Sequence, residues 1–166
     1  MENQVTSSAI GRTTEMAIIG GIHIGSNLAQ AVIDAARDVL LTAVGGASKV
    51  GIAAEEAAAA IVRGAIRAAS STGEDVGMVT KSAVCGTIKA AAEVGGDVAK
   101  VAVAATQSAI AATGEIGADT SRAVEHAVNG ALEAASDIGG NTARTISDVL
   151  SKSVRGAKDI INAPFH

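Results

Sequence analysis

The chain has 166 residues, a net charge of −4 and 48% hydrophobic residues, which include one Phe and neither Trp nor Tyr. Nucleic-acid binding is not expected, because the 13 basic residues are spread along the chain and no aromatic side chains accompany them. Membrane-spanning helices are not expected either, since charged residues such as Arg63, Arg67, Lys81 and Lys100 keep every apolar stretch below the roughly 20 residues that a bilayer requires.

The apolar residues are mostly Ala, Val and Ile, and 19 glycines accompany them. A core without aromatic residues has to come from close contacts between helices, which small side chains permit. The single cysteine, Cys85, allows no internal disulfide, and the first 21 residues lack the basic segment of a secretion signal. We therefore expect one α-helical repeat domain, spanning residues 1–166, in the cytoplasm.

Irregular helical units are predicted in residues 1–63. The segment Ile10-Gly11-Arg12-Thr13 opens a short helix near 14–23, and Ile24-Gly25-Ser26-Asn27 opens a second helix at about 28–44. A turn at 44–48, with Ser48 as the capping residue, leads into a longer helix at roughly 49–72. With the helices predicted further along the chain, this makes about seven helices that alternate up and down.

Residues 64–151 contain four consecutive 22-residue repeats that align without gaps. The third position is Ile66, Ile88, Ile110 and Leu132, and the ninth is Thr72, Val94, Ile116 and Ile138. The tenth position is always glycine, as Gly73, Gly95, Gly117 and Gly139. The twelfth position is always Asp or Asn, as Asp75, Asp97, Asp119 and Asn141.

This Gly-x-Asp/Asn signature is typical of a tight turn between helices. Glycine ends a helix because it adopts the left-handed conformation cheaply, and Asp or Asn caps the next helix by accepting a hydrogen bond from an N–H group in its first turn. The signature predicts helices of about 19 residues at 76–94, 98–116, 120–138 and 142–160. The predicted fold is an all-α, antiparallel array of these helices.

A second interpretation of the same period remains open. Twenty-two residues spread over six turns give about 3.67 residues per turn, so the apolar positions would also share one face of an unbroken helix. In that case the chain would form one or two very long helices in a hendecad coil. The Asp or Asn two residues after each glycine favours the array of short helices, because such a residue would have no role in a continuous helix.

The last segment, residues 152–166, is predicted to contain the end of the final helix and an apolar C-terminal tail. Pro164 stops the helix, since proline cannot continue one. Phe165 is the only aromatic residue in the chain, and Ile160 and Ile161 precede it. We interpret Ile160, Ile161, Pro164 and Phe165 as a candidate inter-subunit tail; the alternative is that Phe165 folds back over its own bundle.

No residue pattern indicates catalysis, a cofactor or a metal ion. His23, His126 and His166 are isolated from any ligand at metal-binding spacing, and His126 is expected at a solvent-exposed helix position. Cys85 lies among small residues, as a buried thiol would. The glycines at 20–25 lack the Lys and Ser/Thr of a phosphate-binding loop. We expect no enzymatic activity.

The function predicted from these features is structural. Helical repeats bury a continuous core only against neighbours, and the segment 98–116 is apolar on nearly all sides. We expect the chain to associate with itself through Ala/Gly-rich helix packing and to build a shell, tube, filament or lattice. The alternatives are an amphipathic coat on the surface of a lipid or polymer granule, and a helical-repeat adaptor that binds a partner protein.

Overall fold

A computed structural model describes residues 12, 16, 28–45, 50–154 and 156. Over these residues the protein is all-helical and contains no strand. The six helices are α1 (Leu28–Gly45), α2 (Val50–Thr72), α3 (Val76–Glu93), α4 (Val98–Glu115), α5 (Thr120–Ile138) and α6 (Thr142–Ser153). Except for Met16, the predicted helix at 14–23 lies outside the described residues, and so does the turn at 24–27.

Three of the helices begin at an aspartate that caps them. The Asp75 carboxylate accepts a hydrogen bond from the Met78 N–H at 3.2 Å, and Asp97 accepts one from the Lys100 N–H at 3.2 Å. Asp119 accepts two, from the N–H groups of Ser121 at 2.9 Å and Arg122 at 3.4 Å. These bonds satisfy N–H groups that have no partner within the helix.

The preceding helices end at glycines with positive φ. In the turn after α3, Gly95 has a φ of 73°, and the Gly96 N–H donates to the Ala91 carbonyl at 2.9 Å. In the turn after α4, Gly117 has a φ of 76°, and the Ala118 N–H donates to the Thr113 carbonyl at 3.0 Å. Both turns are Schellman motifs, in which the chain leaves the helix without orphaning its last carbonyl groups.

The helices form two rows, α1–α3–α5 and α2–α4–α6, and contacts between successive helices join the rows. Helices within the first row run parallel: Gly86 lies against Ile33 and, further along both helices, Glu93 pairs with Arg37. Successive helices α2 and α3 run antiparallel, because Gly96, just beyond the end of α3, lies beside Ala54 near the start of α2. The result is a two-layered helical domain.

Small residues allow the helices of a row to approach closely. A side chain at Gly130 of α5 would collide with the backbone carbonyl of Lys81 in α3, and one at Gly86 of α3 would lie 2.8 Å from the Ile33 carbonyl of α1. The largest fully buried side chains are correspondingly modest in size: Leu40, Ile61, Ile66, Ile88, Ile146 and Leu150. The described core therefore consists of Ala, Val, Ile and Leu packed between closely spaced helices, with Cys85 among them.

Hydroxyl groups within this core are mostly hydrogen-bonded to backbone carbonyls. Thr80 and Thr113 each bond to the carbonyl four residues earlier, both at 2.7 Å. Ser108 of α4 donates to the Ala59 carbonyl of α2 at 2.6 Å and so links two helices of the second row. Within the described residues, Thr106 Oγ1 is the buried side-chain polar atom without a partner.

The C-terminal part differs from the prediction in two respects. Helix α6 ends at Ser153, whereas the repeat pattern predicts that it continues to 160. Val154 is extended and Gly156 has a φ of 89°, so the chain leaves the helix there. Asn141 precedes α6 but makes no capping hydrogen bond with its side chain, because its backbone φ and ψ of −88° and 6° are not those of a capping residue.

Candidate interaction surface

Ion pairs on the outer surface connect alternate helices. In the first row, Arg37 of α1 binds Glu93 of α3 through two hydrogen bonds of 2.7 and 3.0 Å. Two pairs join α3 to α5, Lys89 with Asp137 at 2.6 Å and Lys81 with Glu133 at 3.4 Å, while Arg67 pairs with Glu115 at 3.6 Å between α2 and α4. These contacts hold the helices of each row in register.

The two shortest of these pairs shift the pKa values of Arg37, Glu93 and Lys89. The hydrogen bond from Arg37 lowers the pKa of Glu93, and the same bond raises the pKa of Arg37. The hydrogen bond to Asp137 raises the pKa of Lys89 in spite of its partial burial, which acts in the opposite direction. Arg37, Glu93 and Lys89 therefore remain ionised at neutral pH, and these pairs act as fixed contacts.

Sequence analysis did not identify these pairs, although a signal was present. Arg67 and Lys89 stand at the fourth position of the first and second repeats. Their partners Glu115 and Asp137 stand at the eighth position of the third and fourth repeats. Each pair therefore joins the fourth position of one repeat to the eighth position of the repeat two further along. Comparing alternate repeats, and not only adjacent ones, would have revealed this charge pattern.

An apolar groove of about 670 Å³ opens at the C-terminal end of the described helices. Its apolar lining includes Ile110 of α4, Val124 of α5 and Val154, which follows α6. The rest of its lining consists of small and polar residues: Gln107, Ala111, Thr120, Ser121, Ser153 and Gly156. We call this feature the C-terminal groove, and it lies where the short helix α6 stops.

The turn residues identified from the sequence do not form a single site. Gly73, Asp75, Gly117 and Asp119 lie in the turns that follow α2 and α4, and Gly95, Asp97, Gly139 and Asn141 lie in those that follow α3 and α5. Because successive helices alternate in direction, these two groups occupy opposite ends of the two rows. The candidate tail, with Ile160, Ile161, Pro164 and Phe165, lies outside the described residues.

Two described side chains that are capable of nucleophilic or acid–base chemistry, Cys85 and His126, are packed within the fold. Burial raises the pKa of the Cys85 thiol to about 11, so the thiol is protonated at neutral pH and is a poor nucleophile. His126 is half-buried over Gly77, which leaves room for its ring between α5 and α3, and is not solvent-exposed as expected. In the part of the chain that the structure describes, no three His, Cys, Asp or Glu side chains come together as metal ligands.

Among the helices formed by the described residues, none has both the length and the apolar character to cross a membrane.

Comparison with other proteins assigns no family to the chain. The sequence matches no protein-family model and no curated protein.

Proposed function

We propose that this chain is a non-enzymatic structural protein that associates with itself through Ala/Gly-rich helix surfaces. The partner is a second copy of the same chain, and the product is a homo-oligomeric assembly. We further propose that its helices are an antiparallel array of 22-residue repeats joined by Gly-x-Asp/Asn turns. Such arrays bury apolar surface between neighbouring units and leave it exposed at the ends unless a polar unit covers it.

The C-terminal groove is the observation that carries this proposal. It is an apolar concavity between the end of α4, the start of α5 and the end of α6. Ile110 and Val124, which line it, are only partly buried, and Ala111 beside them is exposed. A second copy that covered these residues would remove apolar surface from water, which stabilises association by about 25 cal/mol per Å².

The small size of the core side chains supports association as well. Alanine buries little apolar surface, and ordering each residue costs roughly 1.5 kcal/mol, so a chain built in this way gains little stability from its own core. Contacts between copies stabilise the folded state by mass action. We therefore expect the melting temperature to rise with protein concentration.

The test is the mass of the protein in solution and its response to a charge in the C-terminal groove. Light scattering over a range of concentrations should give a mass above that of one chain. The variant Ala111→Glu places a carboxylate in the groove, on an exposed helix position that tolerates glutamate, and should lower the average mass at a given concentration. Circular dichroism should show unchanged helical content.

Ala143→Glu is the matched control, because Ala143 is an exposed alanine in the first turn of α6 and does not line the groove. Its mass should equal that of the unaltered chain. A single-chain mass for the unaltered protein at every concentration, with a melting temperature that does not depend on concentration, would contradict the proposed function.

A further inference from the structure

The outer face of α4 is not covered by any other described helix. Helix α4 is the central helix of the second row and contacts α2, α3, α5 and α6 with its other faces. On the outer face, Lys100, Gln107, Ala111 and Glu115 are exposed and Ala104 is half-buried. These five residues follow one another at spacings of three and four, so they share one side of the helix. We call them the α4 stripe.

The order of side chains along the α4 stripe is self-complementary. Lys100 lies in the first turn of α4, and Glu115 is its last residue. If two α4 helices pack antiparallel with Gln107 near the centre, Lys100 of each copy faces Glu115 of the other. Ala104 then faces Ala111, and these small side chains allow the two helices to approach closely. The amide of Gln107 both donates and accepts hydrogen bonds, so it can bond to its own counterpart.

Helix α2 carries matching charges on the outer face of the same row. Ser108 of α4 donates to the Ala59 carbonyl of α2, so these two residues lie at the same level along the parallel helices. Glu56 and Arg63 are exposed, and they flank Ala59 at three and four residues' distance. An antiparallel arrangement centred on Gln107 therefore also brings Glu56 of each copy towards Arg63 of the other.

We propose that two copies associate through the outer faces of α2 and α4, around a two-fold axis that passes near the centre of the α4 stripe. This inference rests on the proposed self-association and names its contact. Lys100, Glu56 and Arg63 make no ion pair with a described residue of their own copy. Glu115 pairs with Arg67 at 3.6 Å and is half exposed, so its carboxylate has room for a second cation.

The outer face of the first row lacks this complementarity. Its cations Arg37, Lys81 and Lys89 are already paired with carboxylates of the same copy. The other charged side chains of α1 are Asp34 and Asp38, and both are exposed. Two first-row faces in the same antiparallel arrangement would therefore oppose carboxylates at α1, which disfavours association. The distribution of charge thus selects the second row as the contact.

This contact has a consequence for the size of the assembly. An isologous contact uses the same surface on both copies and closes after two. The product is therefore a dimer whose first-row faces point outwards, and any larger assembly has to use a different surface.

A charge exchange between two variants tests the contact directly. Lys100→Glu alone and Glu115→Lys alone each place like charges opposite one another in a dimer of identical chains. Each should raise the dimer dissociation constant, measured by light scattering over a range of concentrations, roughly ten-fold or more, because two attractive contacts become repulsive. An equimolar mixture of the two variants should recover the mass of the unaltered protein. In the mixed dimer the new glutamate at position 100 faces the new lysine at position 115, and the original Glu115 faces the original Lys100.

The control is Arg122→Glu, which changes the charge by the same amount at an exposed position of α5, in the first row. It should leave the dissociation constant unchanged, and circular dichroism should show the same helical content for all variants. An oligomer whose mass neither variant lowers, or a mixture that does not recover the mass, would refute the α2–α4 contact and leave the proposed function intact. A single-chain mass for the unaltered protein at every concentration would contradict both.

Discussion

Helices α5 and α6 both follow a turn that contains glycine, but α5 has 19 residues and α6 has 12. Helix α5 begins at Asp119, whose carboxylate accepts two backbone hydrogen bonds, and it packs along α3 with Gly130 against the backbone of Lys81. Helix α6 follows Asn141, which makes no capping hydrogen bond. Of the ion pairs between described residues, two involve α5 and none involves α6.

The difference shows that a similar local signature does not ensure a helix of similar length. A helix of this size is marginal on its own and depends on its contacts with neighbouring helices. Helix α5 contacts helices α3, α4 and α6, whereas α6 contacts only α4 and α5 within the described residues. The end of α6 at Ser153 is consistent with this smaller support, and Ser153 and Val154 line the C-terminal groove.

A substitution at the close contact between α5 and α3 should have the largest effect on the free energy of unfolding. Gly130→Ala would place a Cβ atom in collision with the Lys81 carbonyl oxygen, whose backbone cannot move without shifting α3. We expect the free energy of unfolding to fall by about 1–3 kcal/mol, measured by urea denaturation.

Gly114→Ala provides the matched control in a neighbouring helix. A Cβ atom there would lie 3.6 Å from Thr120 Cγ2, an ordinary contact. Because alanine is the better helix former, this variant should be neutral or more stable by up to about 1 kcal/mol. Similar losses in both variants would mean that the close approach of α5 and α3 has no particular role.

Substitutions of the residues that precede α5 and α6 should have smaller effects on the free energy of unfolding, and the two effects should differ. Asp119→Ala removes the acceptor of two hydrogen bonds and should lower the free energy of unfolding by roughly 0.5–2 kcal/mol. Asn141→Ala removes a side chain that makes no such bond and should change it by less than about 0.5 kcal/mol. Equal losses from the two substitutions would show that Asn141 caps α6 in solution.

The all-helical class was predictable because the evidence for it is local. An alanine-rich sequence with glycines as its main helix-breaking residues has few other ways to order its backbone, and each helix start or stop depends on residues within a few positions. The end of α6 was not predictable in this way. Residues 154–160 continue the apolar spacing of the earlier repeats, but within the described part of the chain no following helix supports α6 in the way that α6 supports α5.

The C-terminal groove was not predictable for the same reason. Its lining comes from α4, α5, the end of α6 and the residues just after it, which are far apart in the sequence. The position of His126 depends likewise on a distant residue, since its ring occupies space that Gly77 leaves open. Contacts between alternate helices join residues that are far apart in sequence, and local chemistry does not reveal them.

The ion pair between Lys89 and Asp137 should give the smallest effect and is best followed through the pKa of Lys89. Asp137→Asn removes the hydrogen-bonded carboxylate that raises this pKa, so the pKa should fall, as measured by NMR titration of the Lys89 side chain. Asp148→Asn removes an exposed carboxylate of α6 and should leave the pKa of Lys89 unchanged.

The effect of pH on stability has a definite sign. A lysine whose pKa is raised in the folded state stabilises that state below its ordinary pKa of about 10.4, and the stabilisation is lost as the pH rises through the higher folded-state value. At neutral pH, Asp137→Asn should therefore lower the free energy of unfolding, by less than about 1 kcal/mol because the pair is partly exposed. The difference from the unaltered chain should shrink in strongly alkaline solution and in high salt. If it persisted under both conditions, the contribution of Asp137 to α5 would not be electrostatic, and packing alone would distinguish α5 from α6.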